Sequence, residues 1–284
     1  MRTLASDRMF IDQGGIGMKI GFIGVGGMAQ AIIGGLLQAK TFAPTEIVVH
    51  SHRKESYEPY AQAHGLQTAE QNSDVADQSD LVVVAVTPNV AASVLQEIKP
   101  QVADGQTTVI SIVAGLSLAE MADILGDNVP ILRTLPNVNV EVGAGMTAVA
   151  ANARLTGTDL DAALRVFNTI GSTTTLAEDQ FGVFSALAGS SPAYIDFFID
   201  SLSRAGVKYG LTKAQATQIA AQATLGSAKM VLESDKIPFA LIDQVASPGG
   251  STVAGLLAME EAGLMTAVVK GIDATIKRDA GDPA

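Results

Sequence analysis

Two glycine-rich stretches hold the residue types from which a small-molecule site can be built. The first places Gly24-x-Gly26-x-x-Ala29 directly after the apolar run Ile20, Phe22, Ile23 and directly before helical apolar spacing to Gln38. Gly24 permits a tight turn, Gly26 lets the backbone approach a pyrophosphate, and small Ala29 lets the helix pack close to the strand. The free N–H groups that open such a helix point at the anion. The second stretch, Ser247-Pro-Gly-Gly-Ser-Thr252, lies between two helical patterns. Its amides at Gly250, Ser251 and Thr252 are expected to donate, and the dipole of the following helix favours a carboxylate or phosphate. The same six residues also read as a plain turn with Ser251 as a helix cap. Neither stretch supplies a strong nucleophile. The chain has no cysteine, which excludes thiolate catalysis, disulfides and thiolate metal sites. Its three histidines, His50, His52 and His64, share one short span without metal-ligand spacing.

The elements that must position these stretches follow from periodicity. Glu46 to His50 reads as a second parallel strand, and a carboxylate at its end would suit the ribose hydroxyl of NAD. Here the end is His50-Ser51-His52-Arg53-Lys54, with no acid before Glu55. Ser51 followed by basic residues, Arg53 among them, suits a 2′-phosphate, which favours NADPH with NADH as the alternative. The same basic residues also read as the solvated start of a helix over 54–64. Further strands are expected at 66–68, 80–86, 107–112 and 129–135, alternating with helices at 72–78, 90–98 and 117–125. Asp80 to Val86 is apolar on both faces, as a central parallel strand must be. Two short β segments flank a helix over 158–170. Strand–helix alternation implies right-handed crossovers and a doubly wound, mainly parallel α/β sheet, with the ligand crevice at the carboxyl ends of its strands. Thr87-Pro88, Ala114-Gly115 and Pro136-Asn137 fall at that edge.

From Glu178 onward the pattern becomes helical and alanine-rich. Ser191 caps a helix with Pro192 at its first position, or Pro192 kinks a longer helix begun near Phe181. Thr212 caps the next, 213–233. Residues 214–226 are too small and too apolar for a solvated face, and about a hundred residues of such helices make a thin core. A homodimer through this region is therefore expected. The divisions are a disordered extension over 1–17, a dinucleotide-binding domain over 18–177 and a helical domain over 178–284. A net charge of −11 argues against nucleic acid and anionic membranes as partners. No apolar run reaches membrane-spanning length, and the cytoplasm is the default location.

From Met18 nearly to its end the sequence resembles the pyrroline-5-carboxylate reductases. The residues that carry the likeness are the Gly24 fingerprint, Ile112-Val-Ala-Gly-Leu-Ser117, the Arg133 to Asn137 region, Leu187-Ala-Gly-Ser-Ser-Pro-Ala-Tyr194 and Ser247-Pro-Gly-Gly-Ser-Thr-Val-Ala-Gly-Leu256. The resemblance implies a Rossmann domain followed by a helical domain forming an interlocked dimer; some members assemble into rings of dimers. It implies hydride transfer from NAD(P)H to a cyclic imine, giving L-proline. Carried over residue by residue, it places the substrate on Glu178, Ser247, Gly249, Gly250, Ser251 and Thr252, with the Thr252 hydroxyl at the ring nitrogen as the catalytic group. Implied cofactor contacts are Ile23, Gly24, Val25, Gly26, Gly27, Met28, Ser51, Asn72, Val86, Thr87, Pro88, Val113, Ala114 and Gly115. The sequence departs from many relatives in having Thr87 where they have lysine and Asn89 where they have glutamine or histidine. A β-hydroxyacid dehydrogenase would need a lysine acid, with Lys208, Lys213 and Lys229 the candidates. A non-catalytic NADP-binding sensor would keep the Gly24 loop without needing Ser247 to Thr252.

Overall fold

The computed structural model describes residues 17–281, and the chain divides into two compact units, one ending at Phe184 and one beginning at Ser185. The extension expected over 1–17 lies, Gly17 apart, outside the described residues.

The first unit contains β1 (Ile20–Ile23), α1 (Gly27–Gln38), β2 (Ile47–His50), α2 (Lys54–His64), β3 (Gln67–Thr68), α3 (Asn72–Asp77) and β4 (Leu81–Val84). It continues with α4 (Pro88–Val102), β5 (Thr108–Ser111), α5 (Leu118–Leu125), β6 (Ile131–Pro136), β7 (Gly145–Ala151), α6 (Gly157–Asn168), β8 (Gly171–Thr175) and a single turn, α7 (Phe181–Phe184). The strands form one sheet in the order β3-β2-β1-β4-β5-β6-β7-β8. It is parallel from β3 through β6; β7 runs antiparallel to β6, and β8 parallel to β7. Strand order reverses at β1, where Ile20 pairs with Ile47 on one side and Leu81 on the other. That is the switch point at which open α/β sheets bind ligands.

All four residues of β1 and of β4 are buried. The two-residue strand period divides β4 between two apolar layers. Leu81 and Val83 join Ile32, Leu36 and Phe167 on one face, while Val82 and Val84 join Leu95, Ile98 and Met121 on the other. Helix α4 differs from its expected span at both ends. Pro88 occupies its first turn, where a fixed φ and a missing N–H cost nothing, and the helix continues through Pro100 in its last turn to Val102.

The second unit opens with a π turn, Ser185–Gly189, and then has α8 (Ser191–Lys208), α9 (Lys213–Glu233), α10 (Pro238–Val245), α11 (Ser251–Glu261) and α12 (Leu264–Asp279). Ser190, not Ser191, is the N-cap of α8, and the Ser191 hydroxyl donates back to the Leu187 carbonyl. Thr212 does cap α9, its hydroxyl accepting from the Gln215 amide. Burial here is sparse. Ala216, Ala220 and Ser203 are buried where α8 and α9 pack, but Phe197 is 74% exposed, Leu232 86% and Phe239 65%.

Candidate functional site

The Gly24 turn is built for a chain reversal that only glycine fits. Its φ is +95°, its amide donates to the His50 carbonyl at 2.8 Å, and a Cβ would stand 2.4 Å from the Ala85 carbonyl oxygen. Gly26 is the N-cap of α1 and has no side-chain cap; a Cβ built on it meets nothing within 4 Å. The first three amides of α1, at Gly27, Met28 and Ala29, have no acceptor within the helix. Open space, free donors and the positive helix end coincide at one point, which is what a pyrophosphate requires.

Beside this point a cleft of about 740 Å³ opens along the carboxyl ends of β1, β2 and β4. Of the expected cofactor contacts, Ile23, Gly24, Val25, Gly26, Ser51, Arg53, Asn72, Val86 and Thr87 line it. Gly27, Met28, Pro88, Val113, Ala114 and Gly115 do not. The lining also includes two carboxylates that periodicity and spacing did not single out, Glu70 and Glu97. Glu97, on α4, accepts from the Asn72 side-chain amide at 2.6 Å and so fixes its orientation. Glu70 pairs with Lys54 at 2.7 Å; this contact holds the Glu70 carboxyl below its ordinary pKa and raises that of Lys54. Among the described residues no ion pair engages Arg53, the N-cap of α2. His50 Nδ1 donates to the Ala69 carbonyl at 3.0 Å, which ties β2 to the chain after β3. The hydroxyl of Thr87 donates to Asn89 Oδ1 at 2.6 Å.

Farther along the same sheet edge, the loop 112–117 joins β5 to α5. The Val113 amide donates to Ser111 Oγ at 3.2 Å, and Ser117 forms a reciprocal cap with Glu120, whose carboxyl is held below its ordinary range by those bonds. Glu178 accepts from the Leu118 amide at 2.9 Å and from Arg133 Nη1 at 2.6 Å.

In the second unit, Ser247-Pro248-Gly249-Gly250 forms a turn with the sequence signature of type II, proline at its second position and glycine at its third. Gly249 has φ +71°, and the Gly250 amide donates to the Ser247 carbonyl at 3.0 Å. This corrects the expectation that the Gly250 amide is free. It is spent closing the turn, and Gly250 rather than Ser251 is the N-cap of α11. The amides without an acceptor in the helix are those of Ser251, Thr252 and Val253. Thr252 and Ser247 are exposed residues. The lysines that a dehydrogenase of β-hydroxyacid type would need are all engaged. Lys213 bonds Asp200 at 2.5 Å and also Ser203, Lys229 pairs with Glu233, and Lys208 lies over the Tyr209 ring. Among the described residues no cluster of histidines and carboxylates could hold a metal, and no single helix is long and apolar enough to cross a membrane.

Comparison with known proteins bears on both units. The family model for pyrroline-5-carboxylate reductase dimerisation matches residues 178–281, and that for coenzyme F420-dependent NADP oxidoreductases matches 19–115. The chain is 39% identical over 254 residues to pyrroline-5-carboxylate reductase of Escherichia coli, covering 89% of this chain and 94% of that one. The chain belongs to the pyrroline-5-carboxylate reductase family. The enzyme of that name from Aquifex aeolicus is 36% identical, with 92% of this chain and 96% of that one covered. Among solved structures, the Streptococcus pyogenes reductase is 38% identical with a TM-score of 0.79, covering 92% of this chain and 98% of that chain. The Plasmodium falciparum reductase, solved with NADP bound, is 30% identical with a TM-score of 0.81 over 94% and 98%. Both units therefore have the architecture of this reductase family, and the second is its dimerisation domain.

Proposed function

We propose that this chain reduces pyrroline-5-carboxylate to L-proline with NADPH. The observation that carries the reading is the presence of an anion cradle on each unit. One, at α1, opens onto a dinucleotide-sized cleft; the other, at α11, presents three free amides beside the exposed residue Thr252. A cleft of this volume lies within the usual range for small-molecule sites. Family membership supports the same reaction, since the relatives bear the name of the enzyme that performs it.

A bound nicotinamide supplies the hydride that adds to the imine carbon. Everything else falls to the chain. Gly26 and the α1 amides hold the pyrophosphate, and Ser51 with Arg53 receives the 2′-phosphate, which favours NADPH over NADH. The amides of Ser251 and Thr252 hold the substrate carboxylate, and Gly249 and Gly250 shape the turn that presents them, with Ser247 beside it. The Thr252 hydroxyl donates a hydrogen bond to the imine nitrogen, which makes the carbon more electrophilic, and relays to that nitrogen a proton that solvent replaces. Orientation of two rings and one proton is all this chemistry asks, and neither a metal nor a cysteine is needed. The exposed apolar side chains of the helical unit support a homodimer built through it.

The test is turnover. Purified protein given NADPH and pyrroline-5-carboxylate should lose the reduced-nicotinamide absorbance and form L-proline. Tight NADPH binding without turnover would overturn the reaction and favour a sensor.

A further inference from the structure

Oxygen Oε1 of Glu178 is used twice, by Arg133 Nη1 at 2.6 Å and by the Leu118 amide at 2.9 Å. Leu118 is the first residue of α5, so this carboxylate sits at the positive end of that helix. Leu118 directly follows the Val113–Ser117 loop in the chain, so the bond reaches the end of that loop. Arg133 projects from β6, its side chain only 12% exposed, with its guanidinium 4.5 Å from the centre of the Phe181 ring. The loop is thereby fixed at both ends. Ser111 holds the Val113 amide on the sheet side, while Glu178 and the Ser117–Glu120 cap hold the helix side.

We infer that Glu178 is a positioning residue for the cofactor. It acts on the Val113–Ser117 loop through the Leu118 amide, with Arg133 and Phe181 holding the carboxylate in place, instead of acting by contact with the substrate. The inference rests on the proposed reductase reading and on the cofactor contacts that the family resemblance implies at Val113, Ala114 and Gly115, which lie outside the cleft beside the Gly24 turn. An arginine this well buried, deprived of its partner, must be resolvated or must move, and the loop end moves with it.

The experiment measures NADPH Kd by fluorescence titration without substrate, and both KM values in turnover, on the full chain. Glu178→Ala and Arg133→Met should each raise NADPH Kd about tenfold, and the double variant should be no worse than the weaker single one, because one contact is lost in all three. Glu178→Gln should keep most of the affinity, since its amide oxygen can accept the same two bonds. The substrate KM, read at saturating NADPH, should change less than about twofold. A raised substrate KM with an unchanged NADPH Kd would overturn the inference, as would additive losses in the double variant. If Glu178→Ala does not fold, Arg133→Lys is read in its place. It keeps the cation without the planar fork, and an unchanged NADPH Kd there contradicts the inference. Because Kd is read without substrate, an inactive wild-type protein would defeat the proposed reaction and leave this measurement standing.

Discussion

In the sheet unit every residue of β1 and β4 is buried, and apolar layers cover both faces of the strands; in the helical unit α8 and α9 bury little beyond Ala216, Ala220 and Ser203, while Phe197 and Leu232 stand in the open. The two regions obtain their stability differently. A parallel sheet with helices on both faces completes its own core, and its ligand crevice is a by-product of strand order. Alanine-rich helices fit closely but bury little area each, so their large apolar side chains need a surface supplied from outside the chain. A pyrroline-5-carboxylate reductase dimerisation domain gives that surface a source, a second copy. The Gly24 turn lies on the unit with the complete core, and the Thr252 turn lies on the one with the sparse core.

The sharpest way to break this contrast is to remove one phenylalanine from each unit. Phe22→Ala, in the sheet core, should cost about 3–5 kcal/mol in denaturant unfolding. Phe197→Ala should cost about 2 kcal/mol or more, with a midpoint that rises with protein concentration, although the side chain is exposed in one chain. A cost within about 0.5 kcal/mol, the ordinary surface value, would show that α8 has no partner surface at this point.

Within the first unit the two glycines of the fingerprint should separate. Gly24→Ala forces a Cβ against the Ala85 carbonyl at positive φ and should cost about 1–3 kcal/mol of stability. Gly26→Ala meets only open space and should leave stability within about 0.5 kcal/mol, yet weaken NADPH about tenfold, or about 1.4 kcal/mol. Equal stability losses in both would show that the open side of Gly26 is not where a ligand sits. Arg53→Ala should raise the KM for NADPH about tenfold and leave that for NADH unchanged, since only the former carries the 2′-phosphate. Equal effects on both would remove Arg53 from cofactor selection.

Most of this architecture was legible in local pattern. The Asp80 to Val86 run gave β4, Ser117 and Thr212 gave the caps of α5 and α9, and Pro248-Gly249 gave the turn before α11. Where residues far apart in the chain decide the outcome, pattern was silent. Nothing near Asn72 indicates that Glu97 holds its amide, and nothing near Glu178 indicates that Arg133 and the Leu118 amide claim its carboxylate. The Gly250 amide looked free because the Ser247 carbonyl closes on it only once Gly249 adopts its left-handed conformation. The span expected for α4, 90–98, falls short because the helix runs on through Pro100 to Val102 even though that proline removes an i→i−4 hydrogen bond.

The smallest effect concerns acid. Glu120 in the first unit is held below its ordinary pKa by Ser117, and Asp200 in the second by Lys213 and then Arg204. A carboxylate with a lowered folded pKa contributes stability that is present above its unfolded value and lost as pH falls through the folded one. The melting temperature should therefore decline as pH drops below about 4, and Glu120→Gln should flatten part of that decline. An unchanged slope in that variant would remove the α5 cap from the acid response.

The division of labour between the two cradles is tested most directly by NADPH binding and turnover in Thr252→Ala. The account predicts an unchanged NADPH Kd with kcat/KM for pyrroline-5-carboxylate lowered about tenfold to a few hundredfold, or about 1.4–3 kcal/mol. Full activity in that variant, or a Kd for NADPH weakened in step with the loss of turnover, would contradict it.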